Sequence, residues 1–181
     1  MRIVGGRWRG RRLASVGAGD AAAHLRPTSD RVREAVFNLL VNSQGINLSG
    51  LAVLDAFAGT GALGFEALSR GAAAATFLDT GRKAQTLLRE NARLLDADAT
   101  IQSRDATRPG PGAPHDLIFL DPPYGKGLGE RALAALTEGG WAAADAVAVL
   151  EEGAAIRPPA GWQVLDARRY GDTQVTLLGR A

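Results

Sequence analysis

Asp121-Pro122-Pro123-Tyr124 follows the apolar run Asp116-Leu117-Ile118-Phe119-Leu120, an order of residue types that suits holding a planar group with an amine. The carboxylate and the backbone carbonyls accept hydrogen bonds, and the tyrosine offers a flat face. Each proline fixes its own φ and Pro123 also restricts Pro122, so the chain leaves the strand stiff and extended. A plain Pro-Pro turn with a helix-start acid would use the same residues, so a second feature has to decide.

That feature is Asp55-Ala56-Phe57-Ala58-Gly59-Thr60-Gly61-Ala62-Leu63-Gly64. Its glycines match G-x-G-x-x-G, and Asp79 stands about 20 residues further on, where a ribose-binding acid belongs. Taken literally the match predicts NAD, but a glycine turn and a ribose-binding acid serve any adenosine-type ligand. Asp55 argues against a dinucleotide, because a pyrophosphate needs no carboxylate beside it. An acid there suits a ligand with a positive amine, such as the methionine part of S-adenosylmethionine. Phe57 joins the candidate cofactor residues within the loop. Asp105 closes a later strand, where it could accept an adenine amino group or serve only as a loop acid.

Positioning these groups requires alternating strands and helices. Strands are predicted at 51–57, 75–79, 99–105, 116–120 and 146–150, with helices at 62–70, 81–96 and 128–137. The pattern predicts an α/β fold with a mostly parallel sheet, whose ligands bind at the carboxyl ends of the strands. Two closing strands, 162–170 and 173–178, meet at Gly171-Asp172 and must form an antiparallel hairpin. Upstream, Arg26-Pro27-Thr28-Ser29-Asp30 is helix-start chemistry. Val32, Val36, Leu39 and Leu40 follow at helical spacing.

The net charge of +2 hides an asymmetry. Residues 1–33 hold eight arginines against Asp20 and Asp30, a net of +6, which leaves about −4 on the remainder by difference from +2. Arg2, Arg7, Arg9, Arg11 and Arg12 surround Trp8, with a short hairpin predicted to turn at Gly5-Gly6. Guanidinium forks pair with phosphates, and both arginine and tryptophan stack on bases, so 1–25 reads as an arm and loop for nucleic acid. A solvated basic tail with Trp8 packed on the domain is the alternative. Residues 26–181 form the catalytic domain in this division. With no cysteines, and with His24 and His115 far apart, thiolate metal sites are excluded and no metal is expected. His115 reads as a solvated loop residue. No apolar run spans a bilayer and no signal-peptide pattern opens the chain, so a cytoplasmic, monomeric protein is expected.

The combined motifs resemble the RsmD-type methyltransferases that modify guanine N2 in bacterial small-subunit ribosomal RNA. The resemblance rests on 2–11 (Arg2-Ile3-Val4-Gly5-Gly6-Arg7-Trp8-Arg9-Gly10-Arg11), on 26–34, on 54–61 and on Glu66-Ala67-Leu68-Ser69-Arg70-Gly71-Ala72. Asp121-Pro122-Pro123-Tyr124 and Tyr170-Gly171-Asp172-Thr173 complete it, so the matching pieces span almost the whole chain. It implies a Rossmann-like class I fold with a seven-stranded sheet and S-adenosylmethionine held by Asp55, Gly59 and Gly61. Asp79 would hold the ribose, although the family more often carries glutamate there, and Thr28 would border the methionine moiety together with Arg31. Asp121 and the Pro122 carbonyl would receive the guanine amine, with Tyr124 stacked on the base and 16S RNA or the small subunit as partner. Amino-methylation of adenine or cytosine in DNA, or of a protein glutamine, would share the glycine loop and the Pro-Pro-Tyr exit. A catalytically dead RNA-binding module is the remaining alternative.

Overall fold

The computed structural model describes residues 1–15 and 28–181. The helices are α1 (Asp30–Asn38), α2 (Ala62–Ser69), α3 (Arg82–Leu95) and α4 (Leu128–Glu138). The strands are β1 (Ala52–Ala56), β2 (Ala74–Leu78), β3 (Ala99–Gln102), β4 (His115–Leu120), β5 (Ala142–Glu152), β6 (Trp162–Tyr170) and β7 (Thr173–Arg180). They form one seven-stranded sheet in the order β3-β2-β1-β4-β5-β7-β6. The first five are parallel, and β7 enters antiparallel between β5 and β6. Strand order reverses between β1 and β4, which opens a crevice at their carboxyl ends.

Successive side chains of a strand face opposite ways, and here that alternation divides two cores. Val53, Leu117, Phe119 and Val149 face the arm, α1 and α2, where Ile3, Trp8, Phe37 and Phe65 are buried. Leu54, Ile118, Leu120 and Leu150 face α4, Trp141 and Trp162. Covering both faces explains why β4 reads as a continuous apolar run. Ser29 caps α1 by accepting the Val32 amide. Phe37, outside the apolar face expected from the sequence, is fully buried with its ring 5.6 Å from Phe119.

Three local expectations are corrected. The arm pairs Arg2 with Arg12, and the turn occupies 5–10 rather than Gly5-Gly6 alone. Those glycines serve close approach instead: at Gly6, with φ +77°, a Cβ would lie 2.0 Å from the Ser69 carbonyl oxygen. Trp8, expected to stack on a base, is only 9% exposed and packs in the core, its amide donating to Ser69 Oγ. His115 is not a loop residue but starts β4, buried between the Trp141 carbonyl and Thr76 Oγ1, and desolvation lowers its pKa. Of the Gly/Ala-rich loop expected over 14–25, residues 16–25 lie outside the described residues, as do Arg26 and Pro27.

Glu66 on α2 ties the arm to the fold. Fully buried, its carboxylate accepts the amides of Val4 at 2.9 Å and Gly5 at 2.8 Å. It also accepts Arg33 Nε from α1 at 3.1 Å and Arg70 Nε at 2.9 Å. Removing the Glu66 charge leaves the fully buried Arg33 with only the half-exposed Asp30, 2.8 Å away, as a counter-charge. Glu66→Gln is therefore expected to cost about 3–5 kcal/mol. Thermal unfolding should fall by roughly 6–20 °C for a chain of this size, and an unchanged midpoint would refute the anchoring role.

Candidate active site

The sheet's carboxyl edge collects the acids singled out in the sequence. Asp55 is the fourth residue of β1 and is 1% exposed. Its Oδ2 accepts the Gly64 amide at 2.9 Å, across the turn into α2. Gly64 permits this approach, since a Cβ there would meet Phe77 Cε1 at 2.4 Å and Asp55 Cβ at 3.2 Å. Burial pushes the Asp55 pKa well above its ordinary value, the Gly64 hydrogen bond opposes that, and the charges of Asp121 and Asp79 add to it. A cation beside Asp55 would act against this shift by stabilising the charged carboxylate.

The turn between β1 and α2 runs through positive φ at Phe57, Gly59 and Gly61. For a bulky residue such as Phe57 this is an outlier of the kind that collects at ligand sites. Asp79, just past β2, accepts the Gly59 amide at 2.9 Å and the Gly81 amide at 2.8 Å, one on each oxygen. Each carboxylate oxygen keeps acceptor capacity for a hydroxyl. An open cleft beside this turn is lined by Phe57, Leu78, Asp79, Arg104, Asp105 and Ala106. Bonds from the Thr107 hydroxyl and amide hold Asp105 below the usual carboxylate value, so it stays charged at the cleft. Phe57, Asp79 and Asp105 thus line one cleft, with Gly59 fixed to Asp79.

Asp121 directly follows β4, whose Leu120 pairs with Ala56 of β1 and Leu150 of β5. It stands across the crevice from Asp55. Pro122 is buried, Pro123 exposed and Tyr124 half-buried. Thr173, Glu151 and Glu152, to which the sequence analysis gave no functional role, stand at this exit together with Thr28. The Tyr124 hydroxyl meets Thr173 Oγ1 at 3.1 Å, which gives the closing Tyr170-Gly171-Asp172-Thr173 motif a structural purpose. Glu152 at the end of β5 accepts the Gly125 amide at 2.9 Å. Thr28 Oγ1 donates to Asp121 Oδ2 at 2.9 Å and lies 3.4 Å from Oε2 of the buried Glu151. Two consecutive acids at a strand end were the available signal, but nothing in the sequence said that they face the Pro-Pro exit.

The arm's arginines divide by what they touch. Arg7 lies over Trp8 with its guanidinium carbon 4.2 Å from the ring centroid, and Arg11 donates to the Leu94 carbonyl. The side chains of Arg2, Arg9 and Arg12 are exposed and make no such contact among the described residues. Among the described residues, no group of acids and histidines is arranged to hold a metal.

A family model described as Conserved hypothetical protein 95 matches residues 1–179. The chain is 39% identical over 190 residues to the ribosomal RNA small subunit methyltransferase D of Escherichia coli (strain K12), covering 99% of this chain and 90% of that protein. It is 36% identical over 180 residues to the Haemophilus influenzae protein of the same name, covering 94% and 89%. Among solved structures, the putative methyltransferase yhhF from Escherichia coli superposes with a TM-score of 0.85 at 38% identity, covering 99% and 97%. Magnesium protoporphyrin IX methyltransferase from Synechocystis, solved with bound SAM, shares the fold at a TM-score of 0.65 and 16% identity, over 88% of each chain. The chain has the class I methyltransferase fold and belongs to the RsmD-type family of small-subunit ribosomal RNA methyltransferases.

Proposed function

We propose that the chain methylates the exocyclic N2 of a guanine in 16S ribosomal RNA, using S-adenosylmethionine. The observation that carries this reading is the placement of Asp121-Pro122-Pro123-Tyr124 at the point where strand order reverses, opposite Asp55 and the glycine turn. The residues fit the donor: a buried acid in an unusually basic state for its methionine amine, and a cleft with Asp79 and Asp105 for its adenosine. When bound, S-adenosylmethionine supplies an electrophilic methyl group on a positively charged sulfur. Asp55, Gly59 and Gly61 surround its methionine and ribose end, Asp79 holds the ribose hydroxyls, and Asp105 faces the adenine.

Guanine N2 is a poor nucleophile, because its lone pair is delocalised into the ring. The Asp121 carboxylate and the Pro122 carbonyl each accept a hydrogen bond from the NH2, which turns the nitrogen lone pair toward the methyl group. As N2 bonds to the methyl carbon, the electron pair of the broken S–C bond stays on the now neutral sulfur, and Asp121 accepts the proton that N2 releases. Tyr124, held through Thr173, stacks on the base. Positioning and fixed charge then supply most of the rate. A paired guanine cannot reach this edge, so the base arrives unpaired or flipped out. The exposed arginines of the arm supply contacts to RNA phosphates, and Arg7 with Trp8 forms the stacked base on which they stand. The substrate is 16S RNA, alone or within the assembling small subunit, and the enzyme acts as a monomer.

Tritiated S-adenosylmethionine offered with unmethylated small subunits, naked ribosomal RNA or duplex DNA tests the substrate. Label on guanine N2 of the RNA is expected, whereas label confined to DNA would overturn the choice. In the same assay Asp121→Ala should lower turnover about 10²–10⁴-fold while S-adenosylmethionine still binds, and near-normal turnover would sink the mechanism.

Replacing Arg2, Arg9 and Arg12 together by alanine should weaken RNA binding. It should also flatten the dependence of log affinity on log salt by about 2–3 units, at roughly 0.7–0.9 per lost phosphate contact. An unchanged slope would leave the arm a purely structural element.

Asp55 predicts a pH dependence. Its folded-state pKa is raised above the ordinary 3.8, so between those values the free fold holds a proton that the unfolded chain releases. Stability contributed by that protonated group is lost as pH rises through the folded value. The donor's positive charge favours the ionised carboxylate, so its binding should tighten over the same range. Calorimetric titrations across that range should show this for the wild type and a flat profile for Asp55→Asn. A wild-type profile as flat as the variant's would exclude Asp55 as the partner of the cationic ligand.

A further inference from the structure

Resemblance places Thr28 beside the methionine end of the donor, but its contacts lie on the amine side. Its hydroxyl donates to Asp121 Oδ2 at 2.9 Å and stands 3.4 Å from Glu151 Oε2. Asp121 comes one residue after Leu120, and Glu151 one residue after the Leu150 with which Leu120 pairs. The two carboxylates therefore stand side by side at the ends of adjacent strands, with Glu151 only 2% exposed.

A hydroxyl has one proton to donate. The separation of 2.9 Å lies within the O–H···O range and 3.4 Å lies beyond it, so the proton belongs to the Asp121 bond. Both acceptors that the hydroxyl faces are carboxylates of the protein. A carboxylate of the methyl donor could take the proton only by breaking the Thr28–Asp121 bond.

The position of Thr28 is set from the other side by α1. Ser29, the next residue, caps that helix through the Val32 amide at 3.1 Å. Arg33, one turn further, is locked to the buried Glu66. Thr28 is thus presented by a helix start that a buried ion pair fixes.

We propose that Thr28 is a positioning residue for the amine-accepting Asp121 and not a ligand of the methyl donor, an inference that rests on the function proposed above. The terminal torsion of a free aspartate is broad. A hydroxyl bonded to one oxygen holds the carboxylate plane in a single orientation, so the acceptor that meets the amine is already aligned. Glu151 closes the β5 side of this corner.

The test compares Thr28→Val and Thr28→Ser with the wild type, measuring S-adenosylmethionine Kd by calorimetry and the methylation rate at saturating donor and RNA. Ser29 still caps α1 in both variants, and thermal unfolding verifies each fold. Thr28→Val should lower kcat about 10–100-fold, the worth of a hydrogen bond to a charged group, with donor Kd within about twofold. Thr28→Ser, which restores the hydroxyl, should recover most of the rate. A raised donor Kd with unchanged kcat would make Thr28 a donor ligand and overturn the inference, as would a valine variant with both constants unchanged. If the wild type labels DNA instead of RNA, the substrate reading fails; the same comparison is then run on DNA, and the two failures stay apart.

Discussion

The Glu66 carboxylate is the interaction on which the arrangement of the site depends. Burying a carboxylate is costly unless its charge is paired and its oxygens are bonded, and this one receives two backbone amides and two guanidinium groups. Its four donors come from three segments far apart in the sequence: the arm, α1 and the end of α2. Glu66 also lies two residues after Gly64, whose amide binds Asp55. One helix therefore carries the anchor of the arm on one side and the amide that fixes Asp55 on the other. The arm is thereby an integral part of the fold, with Ile3, Trp8 and Leu13 in the same core as Phe37 and Phe65.

The opposite constraint operates at the sheet edge, where Asp55, Asp79, Asp105, Asp121, Glu151 and Glu152 gather. So many acids on one edge repel each other, and backbone amides supply hydrogen bonds to four of them. Gly64 serves Asp55, Gly59 and Gly81 serve Asp79, Thr107 serves Asp105, and Gly125 serves Glu152. Amide donors satisfy hydrogen bonding without cancelling net charge. Burial chiefly raises the pKa of Asp55, and the neighbouring charges of Asp121 and Asp79 add to it. An edge left negative in this way is preorganised for a cationic ligand, and local rules of stability are broken where function requires it.

Much of this was legible in the sequence because it depends on local signals. The strand–helix alternation, the closing hairpin and the glycine turn follow from periodicity and residue type, and β6 spans Trp162–Tyr170 as read. The acids at strand ends were legible too, since a carboxylate after an apolar run has few other uses. What stayed hidden depends on contacts between distant segments. Trp8 among arginines looks like a stacking residue, and only the docking of the arm on Ser69 shows that it is core. His115 beside a Pro/Gly loop looks solvated until Trp141 covers it, with rings 5.9 Å apart. Glu66 is one acid among nineteen, and nothing within α2 announces that three segments converge on it.

The arm then has a sharper meaning than an excess of arginine. Arg7 and Arg11 are spent on the fold, one on the Trp8 ring and one on the Leu94 carbonyl, and Arg33 and Arg70 on Glu66. Arg2, Arg9 and Arg12 are exposed on an arm whose backbone is fixed twice: within its turn by the Arg7 amide on the Ser69 carbonyl, and after Arg12 by the Ala14 amide on Asn91 of α3. A flexible basic tail would raise the local concentration of RNA without orienting it. With RNA bound as proposed, a tail clamped to α2 would hold its phosphate contacts at a set distance from Asp121 and so restrict where the base can go. Under the proposed function, that restriction is how a poor nucleophile is brought to a near-attack position, since the cost of orientation is met by contacts remote from the reacting nitrogen.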